Sequence, residues 1–554
     1  MKFKKKWYHY IMDFLSLAVI GVMFVYLAVE FKELPNNIPM KFDKDGIITA
    51  LGPKQTLWII PSIMLAVFVA VSLLTSTPGS FKFPVKLNKY NYLTMYSLFS
   101  LMFETIELIC MIVVCFVLHF SIVCVPIPKE LMLILVGLVI ITAVLFIILM
   151  KVCNKKINKK YQIINEKKEV RKMRGLKNVK VYVEGQGVIE TSIGFENGRI
   201  AAIGSDLEVE ELVKLPTDAV VVPGFIDQHI HGAAKSDAMD GSVEDIANIA
   251  NAIAKEGTTA FLATTMTQSP ENICKALNSI KEYMDEKLET GAQVLGVHLE
   301  GPYISKDFIG AQPLEYVAVP SVESFKQYQE ASGNTIKIVS LAPEVEGSTE
   351  LIDYLVANNI VASCGHTSAK YDDIEKAVAH GTSNVTHTYN AQRPIHHREI
   401  GTVGSALMFD ELHCELICDT IHVSVPAIKL VLKNKPLDKV TLITDSMRAK
   451  HVSDGNYDLG GQLVIVKNGE ARLENGTLAG SVLKMSDAVK NVVTKVGVPF
   501  TQAIDMATIN PARHLGVAEE MGSIALGKKA NVTVLDNEYN VLLTVREGKV
   551  IYQK

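Results

Sequence analysis

The chain changes character near residue 150. Before that point apolar residues run almost unbroken through 14–29, 56–74 and 131–150, and through 93–118 apart from Glu104 and Glu107. Runs approaching ~20 apolar residues are long enough to cross hydrocarbon. The pattern therefore predicts an all-α region of four transmembrane helices over 1–150. No small-residue cleavage site follows the first run, and three more runs come after it, so it is not read as a signal peptide. Beyond it the polar, basic stretch 151–175 predicts a solvated linker beside the membrane, attracted to anionic headgroups.

From residue 176 the pattern shifts to period two. "VKVYVEGQGVIETSIGFENGRIAAIG" alternates and carries Asn197-Gly198, a hairpin signal. Similar strands return at the end in "NVTVLDNEYNVLLTVREGKVIYQK". These stretches predict a small β-sandwich built from 176–222 and 520–554, with the rest inserted between. Across 223–519, apolar strand candidates end near Asp227, Thr265, Glu300, Pro343, Gly365, His387, Asp419 and Asp445. Helical patterns such as "VEDIANIANAIAKEG" and "TELIDYLVANN" separate most of them. Eight alternating units predict an α/β fold of the (β/α)8 TIM-like barrel kind. A doubly wound dinucleotide fold is disfavoured, because no GxGxxG follows the first strand.

Candidate chemistry lies where the strands end. His229 and His231 follow the first strand in "PGFIDQHIHG". Glu300 ends the third in "GVHLEGPYI". His366 follows the fifth in "SCGHTSA", His387 the sixth in "NVTHTYNA" and Asp445 the eighth in "LITDSM". Active sites of such barrels lie at that rim. One histidine at a strand end is commonly a satisfied polar residue, whereas six such groups converging on one rim suit a divalent cation such as zinc or iron. Such an ion acidifies water and polarises a carbonyl.

Charge refines the picture. A net charge of −4 over 554 residues gives no basic surface for nucleic acid. Lys and Arg concentrate in "MKFKKK", at Lys82, Lys86 and Lys89, and in the segment after the fourth run. By the positive-inside rule both termini and everything beyond residue 150 face the cytoplasm of a multi-pass membrane protein. The four lysines of the first loop oppose that bias. Glu104 and Glu107 share a helix face, which points either to carboxylates facing a bundle interior or water with a role in transport or sensing, or to a span that begins after them and leaves them near its cytoplasmic end. The cysteines (Cys110, Cys115, Cys124, Cys153, Cys274, Cys364, Cys414 and Cys418) show no CxxC pairing and read as small hydrophobes of a reducing compartment.

Two resemblances follow from these motifs. The loop "LPNNIPMKFDKDGIITALGPK" resembles the membrane domain of unknown function that heads SdpI-type immunity proteins, with Met40-Lys41 where a histidine is common. Residues 176–554 resemble the amidohydrolase superfamily and, within it, N-acetylglucosamine-6-phosphate deacetylases. The residues carrying this are the five motifs above together with "HHREIG", "DTIHV", "TDSMRAK", "GTLAGS" and "NPARHLG". The resemblance implies hydrolysis of the N-acetyl group of a phosphosugar in amino-sugar recycling. It implies Glu300, His366 and His387 as primary metal ligands, His229 and His231 as ligands of a second ion, and Asp445 as the acid/base. One or two ions per subunit follow. It implies substrate contacts from Ala311, Asn390, Ala391, Arg398, His422 and Leu478, Ala479 and Gly480. Gln312 stands where some members place a histidine on the acetyl carbonyl. The counterpart of Arg398 reaches a neighbouring subunit, which implies a homodimer; the usual proline after "HHRE" is Ile400 here. Two alternatives stay open: an N-acetylgalactosamine 6-phosphate or other acylated-amine substrate, and a membrane-anchored sensor of amino-sugar phosphates.

Overall fold

The computed structural model describes residues 6–43, 47–75, 83–85, 91–125, 129–166 and 173–554. The basic N-terminal residues through Lys5, Lys82, Lys86, Lys89 and residues 167–172 of the linker lie outside them. The chain divides into two compact units, Met1–Arg171 and Lys172–Lys554.

In the first unit four described helices are long and apolar enough to cross a membrane. They are α1 (Trp7–Glu30), α2 (Ile59–Thr75, entered through a short turn from Lys54), α3 (Tyr92–Ile122) and α4 (Lys129–Glu166). A hairpin of Asn37–Phe42 and Ile48–Pro53 occupies the loop between α1 and α2. The unit is inverted relative to a water-soluble bundle. Phe14, Val25, Val29, Leu133 and Ile134 face outward, while His9, Ser97, Glu104 and Glu107 are buried. That distribution suits a lipid surround, where outward apolar faces are solvated and inward polar groups must find one another. Helix α3 does not begin after its carboxylates: both lie well inside it. The Glu104 carboxylate lies 2.6 Å from His9 Nδ1, and the other ring nitrogen of His9 is 3.1 Å from Ser97 Oγ.

In the second unit strands from both ends form one mixed sheet. Its order runs Lys549–Gln553, Val541–Arg546, Val532–Leu535, Val220–Pro223, Met173–Val183, Gly187–Glu196, Arg199–Gly204, with Val209–Glu211 parallel to the first of the N-terminal strands. The Asn197-Gly198 turn has φ of 50° and 74°, the left-handed pair a tight hairpin needs.

The barrel strands are β1 (Phe225–Ile230), β2 (Thr258–Thr265), β3 (Gln293–Glu300), β4 (Ile336–Leu341), β5 (Val361–Cys364), β6 (Asn384–Val385), β7 (His413–Ile417) and β8 (Val440–Ile443). Each pairs in parallel with the next in sequence. Gly224 lets the chain turn into β1, since a Cβ there would sit 2.3 Å from the Thr259 side chain. Helices between strands bury one face: Ile246, Ile249 and Ile253 of Val243–Ala254 pack inward, and Ser242 caps that helix by accepting from Asp245 N.

The seam between β8 and β1 is closed by backbone and side-chain hydrogen bonds together. Asp227 accepts hydrogen bonds from Thr444 Oγ1 (2.5 Å) and Thr444 N (3.3 Å), and Asp445 N donates to His229 O at 2.9 Å. Burial raises the Asp227 carboxyl to about 6 against the pull of Lys450 and Thr444. After β8 comes a three-stranded antiparallel flap, Gly455–Leu459, Gln462–Lys467 and Glu470–Leu473. All eight cysteines are free.

Candidate active site

The polar residues picked out from the sequence stand at the C-terminal rim, most of them one or two residues beyond the last ladder pair. Three sit on left-handed backbone: His366 (φ 47°), His387 (φ 29°) and Asp445 (φ 48°). Such conformations cost about 1–3 kcal/mol each for non-glycine residues and persist only when their surroundings hold them. Here Ser305 N bonds to His366 O at 2.8 Å, and Ser481 N bonds to Asp445 O at 2.8 Å.

Two groups of donor atoms result. In the first, His387 Nε2 lies 2.9 Å from Glu300 Oε1 and 3.1 Å from His366 Nε2, which is 3.3 Å from Glu300 Oε1. In the second, Asp445 Oδ1 is 3.4 Å from His229 Nε2 and 3.2 Å from His231 Nε2. Glu300 touches this group as well, 3.4 Å from His229 and 3.2 Å from His231. It is the corner the two groups share.

The donor set fits divalent ions. Bonds of about 2.0–2.1 Å place tetrahedral ligands about 3.3 Å apart, close to the spacings seen. His229 Nδ1 faces Glu415 Oε2 (3.2 Å), His231 Nδ1 faces Thr264 O (3.2 Å) and His366 Nδ1 faces Phe308 O (3.1 Å). Each partner only accepts, so Nδ1 carries the proton and the Nε2 lone pair points into the site. His229 Nε2 is buried and has no hydrogen-bond partner. Burial opposes a charge on His231, yet Asp445 and Glu300 outweigh it and hold the imidazole up to about 10. Burial likewise opposes ionisation of Asp445, and the positive charge at His229 and His231 brings it down to about 2. Imidazoles gathered between two carboxylates in this way form a donor set that would suit a divalent ion.

Glu415, on β7, is a residue the sequence reading missed. One oxygen accepts from Gln228 Nε2 (2.7 Å) and Asn384 Nδ2 (3.0 Å); the other faces His229 Nδ1 and His387 N. His298 is also buried here. Burial and the charge at His229 lower it to about 3, and its ring nitrogens are taken by Gln228 O (3.2 Å) and Ser340 Oγ (2.7 Å). His298 stands two residues before Glu300 and shares its strand face, a signal the sequence does carry.

A cavity of about 170 Å³ opens above these groups. His231, Glu300, His366, His387 and Asp445 line its floor. Asn390, Ala391 and His422 line one flank, and Ala311, Gln312, Leu478 and Gly480 are also exposed to it, together with Met266, Leu459 and Thr477, which the sequence reading did not name. His422 Nδ1 donates to Asp419 at 2.6 Å. Two expectations change. Ala479 does not line the cavity: it is fully buried against the flap, because its N–H is held by Ala471 O. Gln312 is committed to Glu300, donating to Oε2 at 2.7 Å while accepting from Thr267 N at 2.8 Å. Arg398 is not among the cavity's lining residues; it is exposed, with its guanidinium 2.7 Å from His397 Nε2.

Residues 220–551 match the Amidohydrolase family, and residues 18–65 match a domain of unknown function (DUF1648). An N-acetylglucosamine-6-phosphate deacetylase of Bacillus subtilis (strain 168) is 39% identical over 382 residues, 68% of this chain and 96% of the relative. An N-acetylgalactosamine-6-phosphate deacetylase of Escherichia coli O157:H7 is 37% identical over 322 residues, 58% of this chain and 85% of the relative. The crystal structure of N-acetylglucosamine-6-phosphate deacetylase from Thermotoga maritima, 36% identical, superposes with a TM-score of 0.62 over 69% of this chain and all of that one. The chain belongs to the amidohydrolase family and, within it, groups with the N-acetylglucosamine-6-phosphate deacetylases.

Proposed function

We propose that the barrel hydrolyses the N-acetyl group of N-acetylglucosamine 6-phosphate to glucosamine 6-phosphate and acetate, in amino-sugar catabolism. The observation that carries this is the pair of donor groups sharing Glu300 under a small cavity, in a chain that spans 96% of a 39% identical deacetylase. Glu300, His366 and His387 would hold the primary ion, and His229 and His231 a second, zinc or iron in either place. Bound there, a divalent ion supplies Lewis-acid polarisation of the acyl carbonyl and a more acidic water. Asp445 takes the proton of the attacking water and delivers it to the sugar nitrogen as the C–N bond breaks. Asn390, Ala391 and His422 orient the sugar, with Ala311, Leu478 and Gly480 closing the cavity. Gln312 positions Glu300.

Arg398 serves the phosphate of a partner subunit's substrate, which makes the enzyme a homodimer. Its removal by Arg398→Ala should raise KM for the phosphorylated sugar by about 10- to 100-fold, the worth of one charge-assisted contact. An unchanged KM would remove Arg398 from the site. The four helices anchor the enzyme as a multi-pass membrane protein, with both termini and the barrel in the cytoplasm.

Glu415→Gln should weaken the ion at His229 by about 10- to 100-fold, the usual effect of losing a ligand's hydrogen-bond partner. An amide would turn an N–H₂ toward groups that already donate. Metal content after dialysis against a graded chelator checks this, and wild-type retention would leave Glu415 a purely structural acid.

The function itself is tested with the full chain in detergent by following acetate release. N-acetylglucosamine 6-phosphate, its galactosamine epimer and the unphosphorylated sugar are compared. Fast release from the first alone supports the reading. Faster release from the epimer moves the substrate to N-acetylgalactosamine 6-phosphate, the activity in the name of the Escherichia coli relative. Release from none, with metal bound, ends it.

A further inference from the structure

The cavity has two flanks of opposite character, on opposite sides of the metal-binding groups. Asn390 and Ala391 follow β6, and His422 follows β7; Met266 follows β2. In an eight-stranded ring taken in sequence order, β2 faces β6. Met266 therefore stands across the rim from the polar flank, with Glu300 and Asp445 between. Beside it stand Leu459 from the flap and Ala311 from the loop after β3. Met266 and Leu459 are each 2% exposed and belong to one apolar cluster with Met447 and Val464.

Met266 has little freedom to swing away. A Cβ added at Gly460, at the tip of the flap turn, would already lie 3.3 Å from Met266 Cε. That turn is latched from both sides: Gln268 Nε2 donates to Gly460 O at 3.2 Å, and Gln462 Nε2 donates to Ala311 O at 2.6 Å.

An N-acyl amino-sugar phosphate has two ends. The hydroxylated, anionic sugar needs hydrogen-bonding partners, and the alkyl part of the acyl group needs none. Hydrolysis fixes the carbonyl between them at Asp445 and Glu300. Taking the deacetylase reading as its basis, we infer that Met266 and Leu459 form the wall against the acyl methyl and limit the enzyme to the shortest acyl chains. Neither residue touches the reacting atoms; both act by excluding carbon beyond the methyl. One surplus methylene in a closed apolar pocket changes kcat/KM by about 10- to 200-fold.

The test compares N-acetyl-, N-propanoyl- and N-butanoylglucosamine 6-phosphate, following release of the free amine. The full-length wild type should lose at least about 10-fold in kcat/KM from acetyl to propanoyl. Met266→Ala should shift the propanoyl-to-acetyl ratio upward by about 10-fold or more, and Leu459→Ala should shift it the same way. A ratio rather than a rate is read, so a general loss of activity in either variant leaves the comparison intact. Should Met266→Ala fail to fold, Leu459→Ala and the wild-type series decide. Equal wild-type rates on acetyl and propanoyl substrates overturn the wall, as does an unchanged ratio in the folded variants. Absence of amine release from all three substrates is a different failure: it removes the deacetylase reading.

Discussion

Replacing Asp445 by asparagine should lower kcat by about 10³-fold or more, the upper part of what a positioned acid/base contributes, while the ion held by Glu300, His366 and His387 stays bound. The side chain keeps its shape and loses its ability to carry a proton. Backbone strain does not confuse the result, because asparagine tolerates the left-handed conformation seen at this residue (φ 48°) better than most. Asp445 contacts only the second donor group, through His229 and His231. Metal analysis should therefore show the first group filled and the second weakened. Steady-state kinetics on N-acetylglucosamine 6-phosphate, run beside that analysis, separate the roles. Turnover within a few-fold of wild type would show that the proton travels elsewhere.

The parts of this site that were legible in the sequence share one property. His229, His231, Glu300, His366, His387 and Asp445 each stand at or just past the C-terminal end of a strand candidate, the rim where the active sites of such barrels lie. Glu415 and the Gln228–Asn384 pair that holds it were not legible. Barrel strands are buried on both faces, so a polar residue on them carries no alternation to set it apart. Its purpose appears only when β1, β6 and β7 are brought together. His9 was missed for a similar reason. It precedes the first apolar run, and only the packing of α1 on α3 sets it against Glu104. The flap is a different case. "GNYDLGGQLVIVKNGEARLENG" carries Gly460-Gly461 and Asn468-Gly469 between alternating strands, a plain hairpin signal. A count of eight strands closes at Asp445 and leaves this hairpin out, and with it Leu459 and the apolar flank of the cavity.

Glu300→Gln should abolish both metal-binding groups at once, which no other single change at the rim is expected to do. One Glu300 oxygen faces His387, His366 and His229, and the other faces His231 and Gln312. An amide keeps the volume but withdraws the negative charge that both groups share. It also turns an N–H₂ either toward the imidazole nitrogens or toward the Gln312 amide that now donates to it. Ion affinity should fall by at least about 100-fold at each group, beyond the 10- to 100-fold typical of outer partners, and activity should fall with it. His366→Ala makes the contrast: it should empty the first group and leave His229, His231 and Asp445 able to bind. Metal content per chain after dialysis reads both variants directly. Thermal melts with and without chelator supply the folding control, because an ion that binds only the folded chain raises its stability by mass action. Wild-type melting should fall on chelation and Glu300→Gln should not respond. Wild-type metal content in Glu300→Gln would mean that the carboxylate is a neighbour of the ions rather than their common ligand, and the mechanism would have to be rebuilt on the histidines and Asp445.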